Sequence, residues 1–368
     1  MRPSGIGGQA VMEGVMMRNK DKYAVAVRKT DQNIIVKTNQ WNSITEKAKF
    51  LGWPLIRGSV NLIESMIVGM RTLTYSAEFF DEEEPKEESG KKEAPDGEEK
   101  KDAALSPAMI LGTVLFSLLL TVALFVFLPL LISEAVVGLL GLSESAFLSS
   151  LLEGCVRIAI FVGYVALISL MPDIKRVFRY HGAEHKTINC IEHGLPLTVE
   201  NARKSSKEHK RCGTSFMIIV MVISILVLSL ANIVINPLCA GMGRIVRVLV
   251  RFGIRLLLLP LVAGISYEFL KLAGRSESRI VNLLSRPGMW MQALTTREPD
   301  DEMLEVAIAS VEAVFDWEDF LAGGTGAKEV VLGETELAAG GNAAEGGEPQ
   351  GKTTGAAREK AADGAATA

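Results

Sequence analysis

Four long apolar segments constrain this chain more than any other feature of its sequence. They cover residues 108–132, 151–171, 215–235 and 248–270. Each is long enough to cross roughly 30 Å of hydrocarbon as a helix, which takes about 20 residues. Backbone groups in hydrocarbon must be hydrogen-bonded within the protein, and the alternating strands of a closed barrel do not occur here. The sequence therefore predicts a mainly α-helical integral membrane protein with about four transmembrane helices in residues 105–270.

The overall composition narrows the class of protein further. The 368 residues include 39 Lys and Arg, 43 Asp and Glu, and 4 Cys. So few cysteines exclude a small disulfide scaffold. Concentration of the apolar residues in one region excludes an ordinary soluble enzyme and a wholly disordered chain. No basic, aromatic-interleaved segment indicates binding to nucleic acid, so the partner that the composition predicts is a lipid bilayer.

The distribution of Lys and Arg predicts the orientation in the membrane, because loops rich in these residues usually stay in the cytosol. The loop of residues 172–214 carries nine Lys and Arg, whereas residues 133–150 carry none. Residues 1–80 carry eleven. We therefore expect a multi-pass protein whose N-terminus, C-terminus and 172–214 loop are all cytosolic.

Four arginines at the start of the fourth apolar segment would lie on the opposite side of the membrane. Their spacing of three, four and four residues puts them on one helical face. They are Arg244, Arg247, Arg251 and Arg255. One interpretation is an interfacial row that contacts lipid phosphates. The other is a polar cluster with Glu153, since a buried arginine needs a carboxylate.

The rest of the chain divides into regions on either side of the membrane segments. Residues 1–80 contain two short alternating segments and an apolar-faced helical stretch, which predict a small cytosolic α+β region with an amphipathic helix. Residues 81–104 are rich in Asp and Glu and predict a disordered linker. Residues 271–322 predict a cytosolic helical region, and residues 323–368 predict a disordered Gly- and Ala-rich tail.

The histidines carry the strongest chemical signal, because all four lie in the predicted cytosolic loop. They are His181, His185, His193 and His209. The first two flank Glu184 in the pattern H-x-x-E-H, and residues four apart share a helical face. This is the spacing of inverted zincins, in which two imidazoles hold zinc and the glutamate acts as base. The pattern predicts a divalent metal site, with zinc favoured, and Glu184 as the catalytic group.

A catalytic zinc commonly has three protein ligands and one open position, so a third ligand is required. His209, on a helix predicted for residues 198–211, and Glu268, at the end of the fourth apolar segment, are the preferred candidates. Glu192 lies too far along a straight helix to share the ion, and Cys212 is a further candidate. The alternative is that these histidines only hydrogen-bond and cap helices at the bilayer surface.

Five short motifs together resemble the YqhQ-like family of bacterial membrane proteins. They are GGQAVMEGVMMR (7–18), YHGAEHK (180–186), KRCGTS (210–215), GISYE (264–268) and QALTTREP (292–299). The resemblance implies a metal-dependent enzyme of the bacterial plasma membrane without an established substrate. It also adds Glu13 and Arg18 as candidate site residues. The glycine-flanked Glu13 is either a salt-bridge partner or part of the site.

Two function classes follow from these observations. The first is a metal-dependent hydrolase that acts at the cytosolic membrane surface on a substrate presented by the membrane. The second is a non-enzymatic scaffold or regulator that binds a protein partner and contains a structural metal or a polar histidine cluster. A metal or ion carrier is disfavoured, because the apolar segments lack the repeated ionisable residues of a transport path.

Overall fold

The structure contains two parts, a small antiparallel sheet covered by helices and a bundle of long apolar helices. It is a computed structural model that describes residues 2–80, 107–140, 146–239, 241–276 and 278–338. The linker predicted for residues 81–104 lies outside the described residues.

The sheet is a meander whose strands follow the order of the sequence. Its strands are β1 (Gly7–Val11), β2 (Gly14–Asn19), β3 (Lys22–Arg28), β4 (Ile34–Gln40) and β5 (Gly333–Leu337). Strands β3 and β4 correspond to the alternating segments of the sequence. The glycine-rich motif before them also forms strands, joined by a tight turn in which Glu13 has a positive φ of 49°. At the start of β2, a Cβ on Gly14 would lie 2.3 Å from the Ala26 carbonyl oxygen.

Strand β5 differs from the prediction of a disordered tail that begins at residue 323. It pairs antiparallel with β4, with Ile34 opposite Leu337 and Thr38 opposite Gly333. The Thr38 hydroxyl donates to the Val331 carbonyl at 2.6 Å. An edge strand is held by backbone hydrogen bonds, so the scarcity of large apolar side chains in this segment does not prevent pairing. Residues 339–368 lie outside the described residues.

The described helices alternate between the membrane bundle and the sheet region. They are α1 (Ile44–Lys47), α2 (Ile56–Ala77), α3 (Pro107–Val122), α4 (Leu128–Leu140), α5 (Ala146–Ile168), α6 (Pro172–Glu192), α7 (Val199–Lys204), α8 (Gly213–Leu238), α9 (Arg244–Ala273), α10 (Arg279–Thr295), α11 (Asp301–Val314) and α12 (Trp317–Leu321). A π-helical turn at Ala123–Phe127 joins α3 to α4 in one long helix.

Four stretches of these helices are long and apolar enough to cross a membrane. They are Gly112–Leu139, Ser150–Ile168, Gly213–Ile235 and Leu249–Ala273. This confirms the predicted mainly helical fold with four membrane-spanning helices and a small N-terminal sheet. The first span is longer than the sequence predicts, because α4 continues the helix beyond residue 132.

Helix α6 connects the two parts of the molecule. It begins directly after the second span, with Pro172 in its first turn. From Tyr180 to Glu192 nearly all of its residues are buried against the sheet, α11 or neighbouring segments. Helix α2 packs through Val68 on the opposite face of the sheet. This arrangement encloses the H-x-x-E-H motif between the sheet and the ends of the spans.

Candidate metal centre

The motif on α6 is enclosed because Gly182 lets another segment approach the helix closely. A Cβ at this position would lie 1.9 Å from the Arg297 carbonyl oxygen. The Arg297 amide donates to the Phe178 carbonyl at 2.9 Å, which ties the segment after α10 to α6. The glycine within YHGAEHK therefore has a packing role, and it brings the end of α10 beside His181.

Three side chains converge to form what we call the His/Cys cluster, which consists of His181, His185 and Cys212. One potential ligand atom from each lies within 4.8 Å of the other two. The Nε2 atom of His181 is 3.2 Å from the Sγ atom of Cys212, and the two imidazole centroids are 4.4 Å apart. The structure thus brings together the two histidines paired by their spacing and adds a thiol.

Both imidazole rings are oriented by backbone carbonyls. The Nδ1 atom of His181 lies 2.8 Å from the Thr295 carbonyl oxygen, and that of His185 lies 2.6 Å from the Lys207 carbonyl oxygen. Because a carbonyl can only accept, each Nδ1 must carry the proton. In the neutral rings the lone pair is then on Nε2, which is available to a metal. Metal-binding histidines in proteins are usually held in this way.

Cys212 reaches the cluster because the chain before it is not helical. The helix predicted for residues 198–211 ends at Lys204, and the following residues return to α6 in an irregular path. Cys212 is the N-cap of α8, and its Sγ atom accepts from the Thr214 amide at 3.4 Å. A helix N-terminus stabilises a thiolate, so the third member of the cluster sits where the third span begins.

The members of the cluster change the proton affinity of one another. Burial favours the neutral thiol, but His181 and His185 outweigh it and hold the pKa of Cys212 well below its usual value. Burial also opposes charge on His181, yet Cys212 and then Glu184 raise the pKa of that imidazole to about 9. Without a metal the site favours a thiolate beside an imidazolium. A divalent cation bound there would displace this proton.

Glu184 borders the cluster and has little contact with solvent. Its side chain is 7% exposed, and one carboxylate oxygen lies 4.0 Å from His181 Nε2. Its Cγ atom packs against Gly8 of β1, where a Cβ would approach it to 2.8 Å. Burial raises the pKa of the carboxyl group, and the neighbouring histidines oppose that rise. Such a carboxyl group is suited to accept a proton or to serve as an additional ligand.

His209, a preferred third ligand, lies next to the cluster with its Nε2 atom directed elsewhere. Its ring centroid is 5.7 Å from that of His185. Its Nε2 atom is 3.4 Å from Oε2 of Glu192. The other carboxylate oxygen of Glu192, Oε1, accepts from the Ser4 amide at 2.7 Å and from Arg211. Burial of Glu192 is outweighed by His209 and Arg211, and its pKa falls to about 2. These contacts give Glu192 a structural role.

Three other candidates do not join the cluster. Both carboxylate oxygens of Glu268, the other preferred candidate for the third ligand, accept from Arg57 at 2.6 Å. Cys212, and not Glu268, lies beside the two histidines. Glu13 accepts from Arg176 and, at 3.2 Å, from the Tyr180 hydroxyl. It therefore takes the salt-bridge role that the sequence left open.

Arg18 is the last of the candidates taken from the motifs, and it also lies outside the cluster. It donates from Nε to the Lys20 carbonyl at 2.9 Å. Both residues lie near the turn that joins β2 to β3. Nothing in these contacts connects Arg18 to the His/Cys cluster.

The sequence did not single out the groups that support the cluster. Gln292 is 1% exposed, and its side chain makes two hydrogen bonds to the backbone of His209. It accepts from the His209 amide at 2.9 Å and donates to the His209 carbonyl at 2.8 Å. Thr295 and Lys207 support the cluster through their backbone carbonyls, which accept from the two imidazoles. Gln292 and Thr295 both lie in the motif QALTTREP, which was the one available signal for them.

The spans and the His/Cys cluster define a membrane protein with a buried side-chain group able to hold a metal ion. The family described as "Protein of unknown function (DUF1385)" matches residues 53–317. "Uncharacterized protein YqhQ" of Bacillus subtilis (strain 168) is 36% identical over 315 residues, which cover 84% of this chain and 91% of that protein. No solved structure matches the chain. The chain belongs to this YqhQ-like family of unknown function.

Proposed function

We propose that this protein is a zinc-dependent hydrolase that acts at the cytosolic surface of the bacterial plasma membrane on a substrate presented by the membrane. One observation carries the proposal. Two imidazoles are held through Nδ1 by backbone carbonyls, at 2.8 and 2.6 Å, so that their Nε2 atoms remain for a cation beside a thiolate-forming cysteine.

The donor set favours zinc over other divalent metals. Two imidazole nitrogens and one thiolate suit zinc, whereas magnesium, calcium and manganese prefer oxygen ligands. Three protein ligands with a carboxyl group beside them are also typical of catalytic zinc, in which the fourth position is open. Glu184 stands beside the three ligands, 4.0 Å from one of them.

The position of the cluster relative to the spans supports action at the membrane surface. Cys212 immediately precedes the span Gly213–Ile235, and α6 begins four residues after the span Ser150–Ile168 ends. The nine Lys and Arg of residues 172–214 favour the cytosolic side. A substrate with a lipid-embedded portion reaches such a site by diffusion in the bilayer.

In the proposed hydrolysis, a bound zinc ion and the side chains of the protein would have different roles. A bound zinc ion supplies Lewis acidity and lowers the pKa of coordinated water. His181, His185 and Cys212 would hold the ion, and the carbonyls behind the two imidazoles fix the direction of the Nε2 atoms. Glu184 would take up the proton from the attacking water and pass it to the leaving group. The burial of these side chains limits access by bulk water.

A second candidate, a non-enzymatic scaffold with a structural metal, is favoured by the same burial. Counted over the whole residue, backbone included, Glu184, His185 and Cys212 are each no more than 5% exposed. Structural zinc sites are closed and four-coordinate. Glu184 as a fourth ligand would close the site and leave no position for substrate.

Metal analysis of the purified protein tests the site itself. We expect about one zinc per chain in wild type, and less than about a tenth of that in His181→Ala and His185→Ala, because two ligands cannot hold the ion tightly. His193→Ala is the matched control, since His193 is exposed at the end of the same helix and bonds only the Asn189 carbonyl. Equal metal content in all four proteins would refute the metal site.

Glu184→Gln separates the two candidate functions. A hydrolase should keep its zinc, lose function in a strain that lacks the chromosomal copy, and change the membrane peptides or lipids detected by mass spectrometry. A structural site should instead lose zinc, or else complement the deletion fully. Glu200→Gln serves as control, because this exposed carboxylate contacts only Lys204. Full complementation by Glu184→Gln would exclude the hydrolase.

A further inference from the structure

Helix α2 is amphipathic in the reverse of the sense found in soluble proteins, where a surface helix turns its apolar side chains inward. Its buried residues are small or polar apart from Val68. They are Gly58, Glu64, Val68, Gly69, Thr72 and Ser76. Six large apolar residues, which we call the outer face of α2, are exposed on its other side: Leu62, Ile63, Met66, Ile67, Met70 and Leu73. At about 100° per residue these six span an arc of about 140° that contains no charged residue.

The buried side of α2 is bound to the sheet region, so the outer face points away from that region. Glu64 accepts from the Ile44 amide at 2.7 Å. Three turns further along the helix, Ser76 accepts from the Met12 amide at 3.2 Å. Within the part of the chain that the structure describes, no element covers the outer face, whose six residues are 36% to 65% exposed. The polarity of α2 therefore calls for an apolar environment outside the protein.

Helix α2 begins beside the fourth span. The Ser59 hydroxyl donates to the Pro260 carbonyl at 3.1 Å, and Pro260 lies eleven residues into the span Leu249–Ala273. This contact is about 16 Å from one end of the span and about 20 Å from the other, at 1.5 Å per residue. Gly58 lets the helices approach closely, since a Cβ there would lie 2.9 Å from the Gly264 Cα. Small residues are typical of helix contacts within membranes, so the start of α2 lies near the level of the middle of this span.

A lipid bilayer suits the outer face better than the remaining segments of this chain do. Residues 81–104 contain eleven Asp and Glu, and residues 339–368 contain no Val, Ile, Leu, Met, Phe, Trp or Tyr. Neither composition provides a matching apolar surface. The surroundings of the outer face suit lipid headgroups, because Trp53, just before α2, is 63% exposed and the exposed Arg71 borders the apolar arc. Tryptophan is enriched at membrane interfaces, and arginine is typical of the polar side of helices that lie there.

We propose that α2 is an interfacial membrane helix whose outer face inserts among the lipid acyl chains of the leaflet next to the sheet. The outer face is continuous with the fourth span and carries no charge, so it meets the same lipid. This adds a lipid-binding surface to the four spans. The sheet rests on the membrane through α2, and this contact fixes its height above the bilayer, together with that of α6 on the opposite face.

Photolabelling of the wild-type protein in liposomes of phosphatidylcholine and phosphatidylglycerol tests the proposal. The probe is a phospholipid with a diazirine in the upper part of one acyl chain, and mass spectrometry locates the adducts after illumination. We expect the yield on Met66 and Met70 to lie within about threefold of that on Leu257, a span residue that is 78% exposed. The control is Glu200 on α7, an exposed carboxylate outside the spans, which should carry about tenfold less.

Met66→Glu combined with Met70→Glu should lower the yield on α2 about tenfold and leave that on Leu257 unchanged, because two charges withdraw the helix from the acyl chains. If this variant fails to fold, the wild-type comparison still decides. Adducts confined to the four spans would overturn the proposal. A second copy of the chain is the other occupant to test. Cross-linking of two chains through Met66→Cys in a Cys155→Ser background, together with an unlabelled outer face in wild type, would assign the face to a dimer and overturn the proposal.

Discussion

Helix α6 carries two buried glutamates eight residues apart whose surroundings are opposite in character. Glu184 faces the His/Cys cluster and packs its stem on a strand of the sheet. Glu192 accepts hydrogen bonds from Ser4 and Arg211 and lies beside His209. Burial raises the pKa of Glu184, whereas its neighbours lower the pKa of Glu192 to about 2.

The difference in pKa distinguishes a glutamate suited to proton transfer from a glutamate that anchors its neighbours, on the same helix. A carboxylate with a strongly lowered pKa stays charged and anchors its partners. A carboxyl group with a raised pKa holds its proton more readily than an ordinary carboxyl group, which is a common property of catalytic acids. Of the two, only Glu184 borders potential metal ligands.

The largest effect on stability should come from a substitution of Gln292. This side chain holds the backbone of His209, which lies between Glu192 and the His/Cys cluster. Gln292→Leu removes both hydrogen bonds to the His209 backbone and one to Ser215. Leaving these buried groups unpaired should cost about 3 kcal/mol. Thermal or denaturant unfolding in detergent measures this loss. An unchanged midpoint would show that the amide does not hold His209 in place.

A smaller loss is expected for Glu192→Gln. The folded pKa of about 2 lies below the ordinary 4.5, so the charged carboxylate stabilises the protein above about pH 4.5 and this contribution disappears as pH falls toward 2. The variant should be about 2 kcal/mol less stable than wild type at pH 7. The gap in unfolding midpoint should shrink below pH 4. A gap that is the same at pH 7 and pH 3 would contradict this account.

Glu184→Gln, unlike Glu192→Gln, should not lower the stability of the metal-free protein. A buried carboxyl group without an Arg or Lys partner among the described residues is costly, and a neutral amide of the same shape removes that cost. We expect stability to stay level or to rise by about 1 kcal/mol in the same unfolding assay with a chelator present. A loss as large as that of Glu192→Gln would break the distinction between the two glutamates.

The smallest effect is expected for Glu268→Gln. This carboxylate pairs with Arg57, and both side chains are nearly a third exposed, 30% and 28% respectively. Loss of such a pair should cost less than about 1 kcal/mol, and zinc content should match wild type. Metal analysis provides the sharper test, because a drop in zinc would return Glu268 to the site as a ligand.

Sequence reasoning succeeded for features that depend on residues close together in the chain. The four spans follow from runs of apolar residues, and the pairing of His181 with His185 follows from the pitch of a helix. It was wrong about the helix that was to carry His209, which ends at Lys204. Nothing in the sequence shows that Arg57 reaches Glu268, so the ion pair of these two residues was not predicted.

The order of residues alone determined which segments are apolar enough to cross a membrane and which two imidazoles share a helical face. Both properties depend on neighbours within a few turns of one helix. The tertiary structure decided that Cys212 completes the cluster, that Thr295 and Lys207 orient its rings, and that the 333–337 segment joins the sheet. These contacts link residues far apart in the chain, so they exist only once packing has brought distant segments together.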